Sequence, residues 1–168
     1  MLKPKFLKTI FFGTPEFVIP VAQSLLQAEY CKLCAIVTNP DRPVGREQIL
    51  TPSPIKSWAL KHDIRVIDSG LKKLAPDLGI LAAYGKIIPQ ELINLFPKGI
   101  LVIHPSLLPA YRGASPVQAA ILAGDRETGV TIIKMDEKMD HGPIISQFKE
   151  KILPDETTKT LRERLFKK

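Results

Sequence analysis

The segment Leu101-Val-Ile-His-Pro-Ser-Leu-Leu-Pro-Ala-Tyr-Arg-Gly113 places a titratable imidazole, His104, where a short apolar strand gives way to a proline-bounded loop. Open α/β sheets commonly put their sites at that junction. Downstream, Met135-Asp-Glu-Lys-Met-Asp-His-Gly142 supplies carboxylates in a second loop. One imidazole and one carboxylate from different loops suggest a general acid/base pair. Asp140 and Asp136, the latter nearer the end of the preceding strand, are the rival carboxylates. His141 reads as a loop residue and His62, in Lys-His-Asp after a helix, as a solvated surface group. Ser106 lacks the Gly-x-Ser-x-Gly elbow of a nucleophile and suits a turn hydrogen bond instead.

The elements that must position these groups alternate. Residues 7–12 read as a strand, followed by a helix capped by Thr14, with Pro15 at its first position and Phe17, Val18, Val21, Leu25 and Leu26 along it. Residues 31–37 form the second strand, and 39–51 a polar loop without periodicity. Ser53-Pro54 opens a helix through about Lys61, and 64–67 is a third strand. The near-continuous apolar run 77–82 suits a strand buried on both faces. A helix over 89–96 leads to the central strand 100–104. Ser115-Pro116 starts a helix ending at Gly124. Residues 130–135 and 144–152 read as late strands, an antiparallel pair, and 155 onward as a helix. This alternation predicts one α/β domain over 1–168: a Rossmann-like, mainly parallel sheet with helices on both faces.

Composition bounds the function. With 45% hydrophobic and 24% charged residues, the 168-residue chain is ordinary for a globular protein with one core. No apolar run approaches the ~20 residues of a membrane span. The basic opening Met-Leu-Lys-Pro-Lys-Phe-Leu-Lys lacks a secretory core, so cytoplasm is the default and no membrane partner is expected. A net charge of +7 favours a polyanionic partner such as nucleic acid. Cys31 and Cys34 form a C-x-x-C on a strand, where residues three apart point to opposite faces. They cannot share a metal or close a disulfide there without a bulge, and no second pair completes a zinc site, so no metal is expected. Gly13-Thr-Pro15 is no dinucleotide fingerprint.

His104-Pro-Ser-Leu-Leu-Pro109 followed by Asp140-His-Gly142 resembles the active-site signature of the folate-dependent formyltransferases. Ile10-Phe-Phe-Gly-Thr-Pro-Glu-Phe17, Thr38-Asn-Pro-Asp-Arg-Pro-Val-Gly-Arg46, Leu50-Thr-Pro-Ser-Pro-Ile-Lys56 and Ala82-Ala-Tyr-Gly-Lys86 resemble the methionyl-tRNA branch of that family. The segments keep the family's order over nearly the whole chain. The resemblance implies 10-formyltetrahydrofolate as formyl donor, initiator methionyl-tRNA as acceptor, and a monomer. It places Tyr84, Gly85, Ile87 and Ser106, Leu107, Leu108, Pro109 around the folate, and Arg42 and Arg46 on a mobile basic loop against the tRNA. The family continues into a C-terminal barrel-like domain absent from this sequence, and usually has a longer helical segment where only Asp68 to Ala75 stands here. One further departure touches the chemistry: the family carries Asn-x-His at the end of the central strand, and this chain has Val102-Ile-His104.

Formyl transfer moves an acyl group from a folate nitrogen to a neutral amine, and the oxyanion it creates needs donors placed in advance. His104 can supply an N–H, and Asp140 can orient the imidazole and help pass a proton from the attacking amine to the leaving nitrogen. The family's asparagine supplies a second donor, and Val102 has none to give. Two classes of function therefore stand: a formyltransferase weakened at Val102, or a catalytically inactive folate- or RNA-binding relative. Within the fold, a glycinamide ribonucleotide formyltransferase or a sugar-amine formyltransferase is the runner-up.

Overall fold

A run of β-branched and aromatic residues, Thr9-Ile-Phe-Phe12, is fully buried and forms the centre of the first of two compact units, Met1–Gly99 and Ile100–Lys168. The computed structural model describes residues 6–168; the basic opening, residues 1–5, lies outside the described residues.

In the first unit, β1 (Leu7–Gly13) is followed by a 3₁₀ turn, Glu16–Val18, and α1 (Ile19–Gln27). The expected cap at Thr14 is not made. Pro20 sits in the first turn of α1, so the α-helix begins later, and the Thr14 hydroxyl donates instead to the Tyr84 carbonyl at 3.3 Å. β2 (Cys31–Val37) pairs parallel with β1. The register skips one residue at Cys34, so the bulge that a shared Cys31–Cys34 site would require is present, yet both thiols are free and Cys34 Sγ contacts the Lys32 carbonyl at 3.3 Å. The stretch expected as a structureless loop holds a hairpin, β3 (Arg42–Val44) against β4 (Ile49–Thr51). Its strands are exposed on every residue, so no burial pattern marked them in the sequence.

Next comes α2 (Pro54–Lys61), capped by Ser53, whose hydroxyl accepts from the Lys56 N–H at 3.2 Å. The expected third strand shrinks to a single bridge, Val66 to Ile36, at the outer side of β2. The shortened connection that follows forms one helical turn, α3 (Leu71–Leu74). β5 (Leu78–Ala82) pairs parallel with β1, giving the order β2-β1-β5. The predicted helix 89–96 contracts to one α-helical turn, α4 (Gln90–Ile93), after which the Leu95 and Phe96 N–H groups tighten onto the Leu92 and Ile93 carbonyls ahead of Pro97.

The second unit begins with β6 (Ile100–His104), then α5 (Pro116–Leu122), β7 (Glu127–Lys134), β8 (Ile144–Lys151) and α6 (Thr158–Leu165). β6, β7 and β8 form an antiparallel meander, as expected of the late pair. Val117, Val130, Leu161 and Leu165 make its core, with Ile103 and Phe148 packed against them. Gly129 lies where an added Cβ would collide with the Phe148 carbonyl of β8 and crowd the tip of Leu107, so glycine is what lets β7 run this close to β8.

α6 is fastened by charge as well as by its core face. Thr157 and Thr160 form a capping box. The Arg164 fork donates from Nε to Glu156 Oε1 at 2.8 Å and from a terminal nitrogen to Glu150 Oε2 at 2.7 Å. Glu156 is held below its ordinary value mainly by the Arg164 bond, and Glu150 mainly by Lys168 and then by Arg164. Carboxylates depressed in the folded state add stability above their ordinary value, near 4.5, and lose it as pH falls through the lower folded values. Arg164→Ala is therefore expected to cost ~1–3 kcal/mol at neutral pH. Melting temperature followed from pH 7 to pH 3 should fall more steeply for the parent than for the variant.

Candidate active site

Val102 and His104 lie two residues apart on β6 and so present their side chains to the same face, opposite to Ile103. Ile103 packs into the α5–α6 core, and the other face carries Val102 and His104. His104 is 5% exposed and stands across from Thr131 on β7, while Val102 stands across from Ile133.

The loop after His104 is tied down by buried polar groups. Ser106 N–H donates to the His104 carbonyl at 2.9 Å and its hydroxyl to the Ala110 carbonyl at 2.7 Å, which is the turn bond expected of it. Thr131 Oγ1 donates to the Ser106 carbonyl at 2.6 Å and accepts from the Leu108 N–H at 3.0 Å and from Gln147 Nε2 at 2.8 Å. Gln147 also donates to the Leu108 carbonyl at 3.1 Å. Sequence reasoning missed Thr131 and Gln147. The available signal was a threonine inside the buried run Val130-Thr-Ile-Ile133, since a buried hydroxyl must find a partner. Leu108 is buried, Leu107 half-buried and Pro109 exposed, and the Leu108–Pro109 peptide is cis.

The second loop brings Asp140 to the imidazole. Asp140 Oδ1 lies 3.5 Å from His104 Nδ1, and both side chains are nearly buried. Asp140 Oδ2 accepts the Gly113 N–H at 2.8 Å, and its carbonyl accepts Arg112 Nε at 3.0 Å. Asp140 adopts a left-handed φ of 49°, which aspartate tolerates better than most residues. Gly142, two residues on, is pressed against the Lys134 carbonyl, where any Cβ would collide. The 3.5 Å separation is an ion-pair distance, longer than a formed hydrogen bond; such contacts commonly tighten when substrate binds.

The rival carboxylate is engaged elsewhere. Asp136 accepts from His141 Nδ1 at 2.9 Å and from the Lys138 N–H at 2.9 Å, in a solvent-exposed pair. Those two bonds, the His141 one first, hold its carboxyl below the usual range. His62 Nδ1 lies 2.9 Å from the Trp58 carbonyl, with its ring beside the indole.

The first-unit candidates stand separately. The Tyr84 ring is buried edge-on against Phe12, with centroids 5.7 Å apart, and burial pushes its phenol up. Its carbonyl accepts from Thr14 Oγ1 and, at 3.0 Å, from Asn39 Nδ2. What Tyr84 and Gly85 offer a ligand is therefore main chain, not a ring face. Ile87 is 84% exposed and takes no part in the core. Arg42 lies on β3 and Arg46 on the turn of the same hairpin, both exposed. Among the described residues no group of three or more His, Cys, Asp and Glu could hold a metal, and no helix is long and apolar enough to cross a membrane.

A family model described as formyl transferase matches residues 7–168, so this chain belongs to the formyl transferase family. The methionyl-tRNA formyltransferase of Buchnera aphidicola subsp. Schizaphis graminum is 45% identical over 172 residues, 96% of this chain and 54% of that protein. Its counterpart in Thermus thermophilus is 41% identical over 169 residues, 95% of this chain and 55% of that protein. The chain thus spans about half the length of the curated relatives it matches. Among solved structures, a phosphoribosylglycinamide formyltransferase from Bacillus halodurans superimposes with a TM-score of 0.76 at 28% identity, covering 94% of this chain and 87% of its own. A glycinamide ribonucleotide transformylase from Geobacillus kaustophilus gives 0.76 at 26% identity, covering 96% and 91%. The α/β formyltransferase fold expected from the sequence is the one present.

Proposed function

We propose that this chain transfers the formyl group of 10-formyltetrahydrofolate to the α-amino group of methionyl-tRNA. The observation that carries the reading is the nearly buried His104–Asp140 pair at the end of β6. As the amine attacks, the formyl oxygen gains negative charge, the bond from the formyl carbon to the folate nitrogen breaks, and one proton passes from amine to leaving nitrogen. His104, steered by Asp140, serves that charge and that proton once substrate takes the Nε2–H from the Tyr111 carbonyl.

The donor set suits a folate. Leu107 and the exposed Met139 offer apolar walls, and the main chain of the Met135–Gly142 loop offers polar edges to a flat ring. Ser106 to Pro109 in the second unit are the proposed donor contacts, and by the family resemblance Tyr84, Gly85 and Ile87 in the first unit are further candidates for the donor. Arg42 and Arg46, exposed on the β3–β4 hairpin, would meet tRNA phosphates or unpaired bases.

Transfer from labelled 10-formyltetrahydrofolate to methionyl-tRNA, measured at high protein concentration beside glycinamide ribonucleotide as rival acceptor, tests the reading. Label appearing on methionyl-tRNA alone supports it. Label on the ribonucleotide reassigns the acceptor, and folate binding without transfer to either makes the chain an inactive binding relative.

A further inference from the structure

The imidazole of His104 is held from both sides. A backbone carbonyl can only accept, so His104 Nε2 carries a proton and donates it to the Tyr111 carbonyl at 2.9 Å. That leaves Nδ1 facing Asp140. The orientation of the ring thus depends on where Tyr111 puts its carbonyl.

Tyr111 holds that carbonyl in a conformation it would not choose alone. Its φ is 55°, in the left-handed region that bulky residues avoid. Such a residue persists only when its surroundings dictate it, and here they can be named. The phenol donates to Asp125 Oδ2 at 2.7 Å, a short bond to a carboxylate. Asp125 is in turn fixed by its own N–H on the Ala120 carbonyl, 3.1 Å away at the end of α5. The bond to Asp125 is the main reason the phenol is pushed up from its ordinary value, so the O–H survives through the whole working range. A line of contacts therefore runs from α5 through Asp125 and Tyr111 to His104, entirely within the second unit. Asp140 ties the next two residues of the same loop, Arg112 and Gly113, while the phenol of Tyr111 anchors the residue whose carbonyl meets the ring.

We propose that Tyr111 is a positioning residue for His104: its phenol, anchored on Asp125, sets the backbone carbonyl that receives the Nε2–H and so keeps the Nδ1 edge of the ring toward Asp140. The proposal rests on the formyl-transfer reading for its kinetic consequence but not for its spectroscopic one. Tyr111→Phe removes only the hydroxyl. Asp125→Asn keeps an oxygen that can accept the same bond, and Asp125→Ala removes it.

The experiment records the ring nitrogen and proton signals of His104 by NMR in the substrate-free full chain, together with kcat and KM for formyl transfer. The parent is expected to show a protonated, hydrogen-bonded Nε2 with a single set of ring signals. Tyr111→Phe and Asp125→Ala should both average that signature and lower kcat by roughly 10- to 100-fold, the size of effect that small misplacement of a catalytic group produces. KM for the formyl donor should hold within about twofold in the same variants, since only orientation of the ring is lost. Asp125→Asn should restore both signature and rate. An unchanged His104 signature in folded Tyr111→Phe overturns the proposal, and so does an Asp125→Asn variant as damaged as Asp125→Ala. If the parent transfers no formyl yet the ring signals respond as described, the positioning role stands and the formyl-transfer reading falls.

Discussion

Asp140→Asn should lower formyl transfer by ~10²–10⁴ while leaving the fold intact, the range typical of losing one member of an acid–base pair. The substitution is nearly isosteric. Asparagine tolerates the left-handed φ that residue 140 adopts, and its carboxamide oxygen can still accept the Gly113 N–H. The loop from Met135 to Gly142 keeps its other ties: Met135 N–H on the Ile100 carbonyl at 2.8 Å and Lys134 N–H on the Pro143 carbonyl at 2.9 Å. What disappears is the negative charge 3.5 Å from His104 Nδ1. The loss should fall on kcat, because the interaction is needed as charge develops and not to hold substrate. A melting temperature within a degree or two of the parent, measured beside the kinetics, separates chemistry from folding. Asp136→Asn is the internal control. Its carboxylate is committed to His141 and Lys138 at the surface, and rate should change little. Comparable damage from both substitutions would mean that the loop acts as one structural unit and that Asp140 has no special office.

The choice between those two carboxylates shows where sequence reading stops. Both lie in one short segment, and spacing alone does not say which faces the imidazole. The outcome depends on a left-handed turn at Asp140, a glycine jammed against β7 and a histidine that captures Asp136. The strands were legible where burial writes a pattern: Thr9-Ile-Phe-Phe12 and the run into β5 are buried, and β6 alternates. The β3–β4 hairpin was not, because Val44, Ile49 and Leu50 are exposed and no period-2 burial marks them. Nor was the late start of α1, where Pro15 and Pro20 compete for the first turn. The bonds that shape the 105–115 loop come from Thr131 and Gln147, 25 and 39 residues away from their loop partners Ser106 and Leu108. No local rule reaches that far. The motif around His104 pointed to a candidate site; the framework that holds its residues came only with the fold.

Val102→Asn should raise the transfer rate, by as much as ~10²–10³ if the restored carboxamide meets the formyl oxygen, since that is the usual worth of one oxyanion donor. The fold supports the geometry. Residues 102 and 104 share a face of β6, so a carboxamide at 102 would stand beside the imidazole. The same fold sets the opposing cost. Val102 is 7% exposed and lies across from the fully buried Ile133. An amide placed there without a partner loses ~1–3 kcal/mol of stability, and asparagine is also a poorer strand residue than valine. The gain should therefore appear as a faster enzyme with a lower melting temperature, with kcat raised and KM little changed. A stabilised, no faster variant would show that the side chain at 102 packs away from the reacting oxygen. A destabilised, no faster variant would mean that another group already holds the oxyanion, which makes Val102 an adaptation and not a defect. Because a donor acts only where charge develops, the two quantities answer different questions: the melting temperature reports how the strand packs, and kcat reports whether residue 102 faces the chemistry.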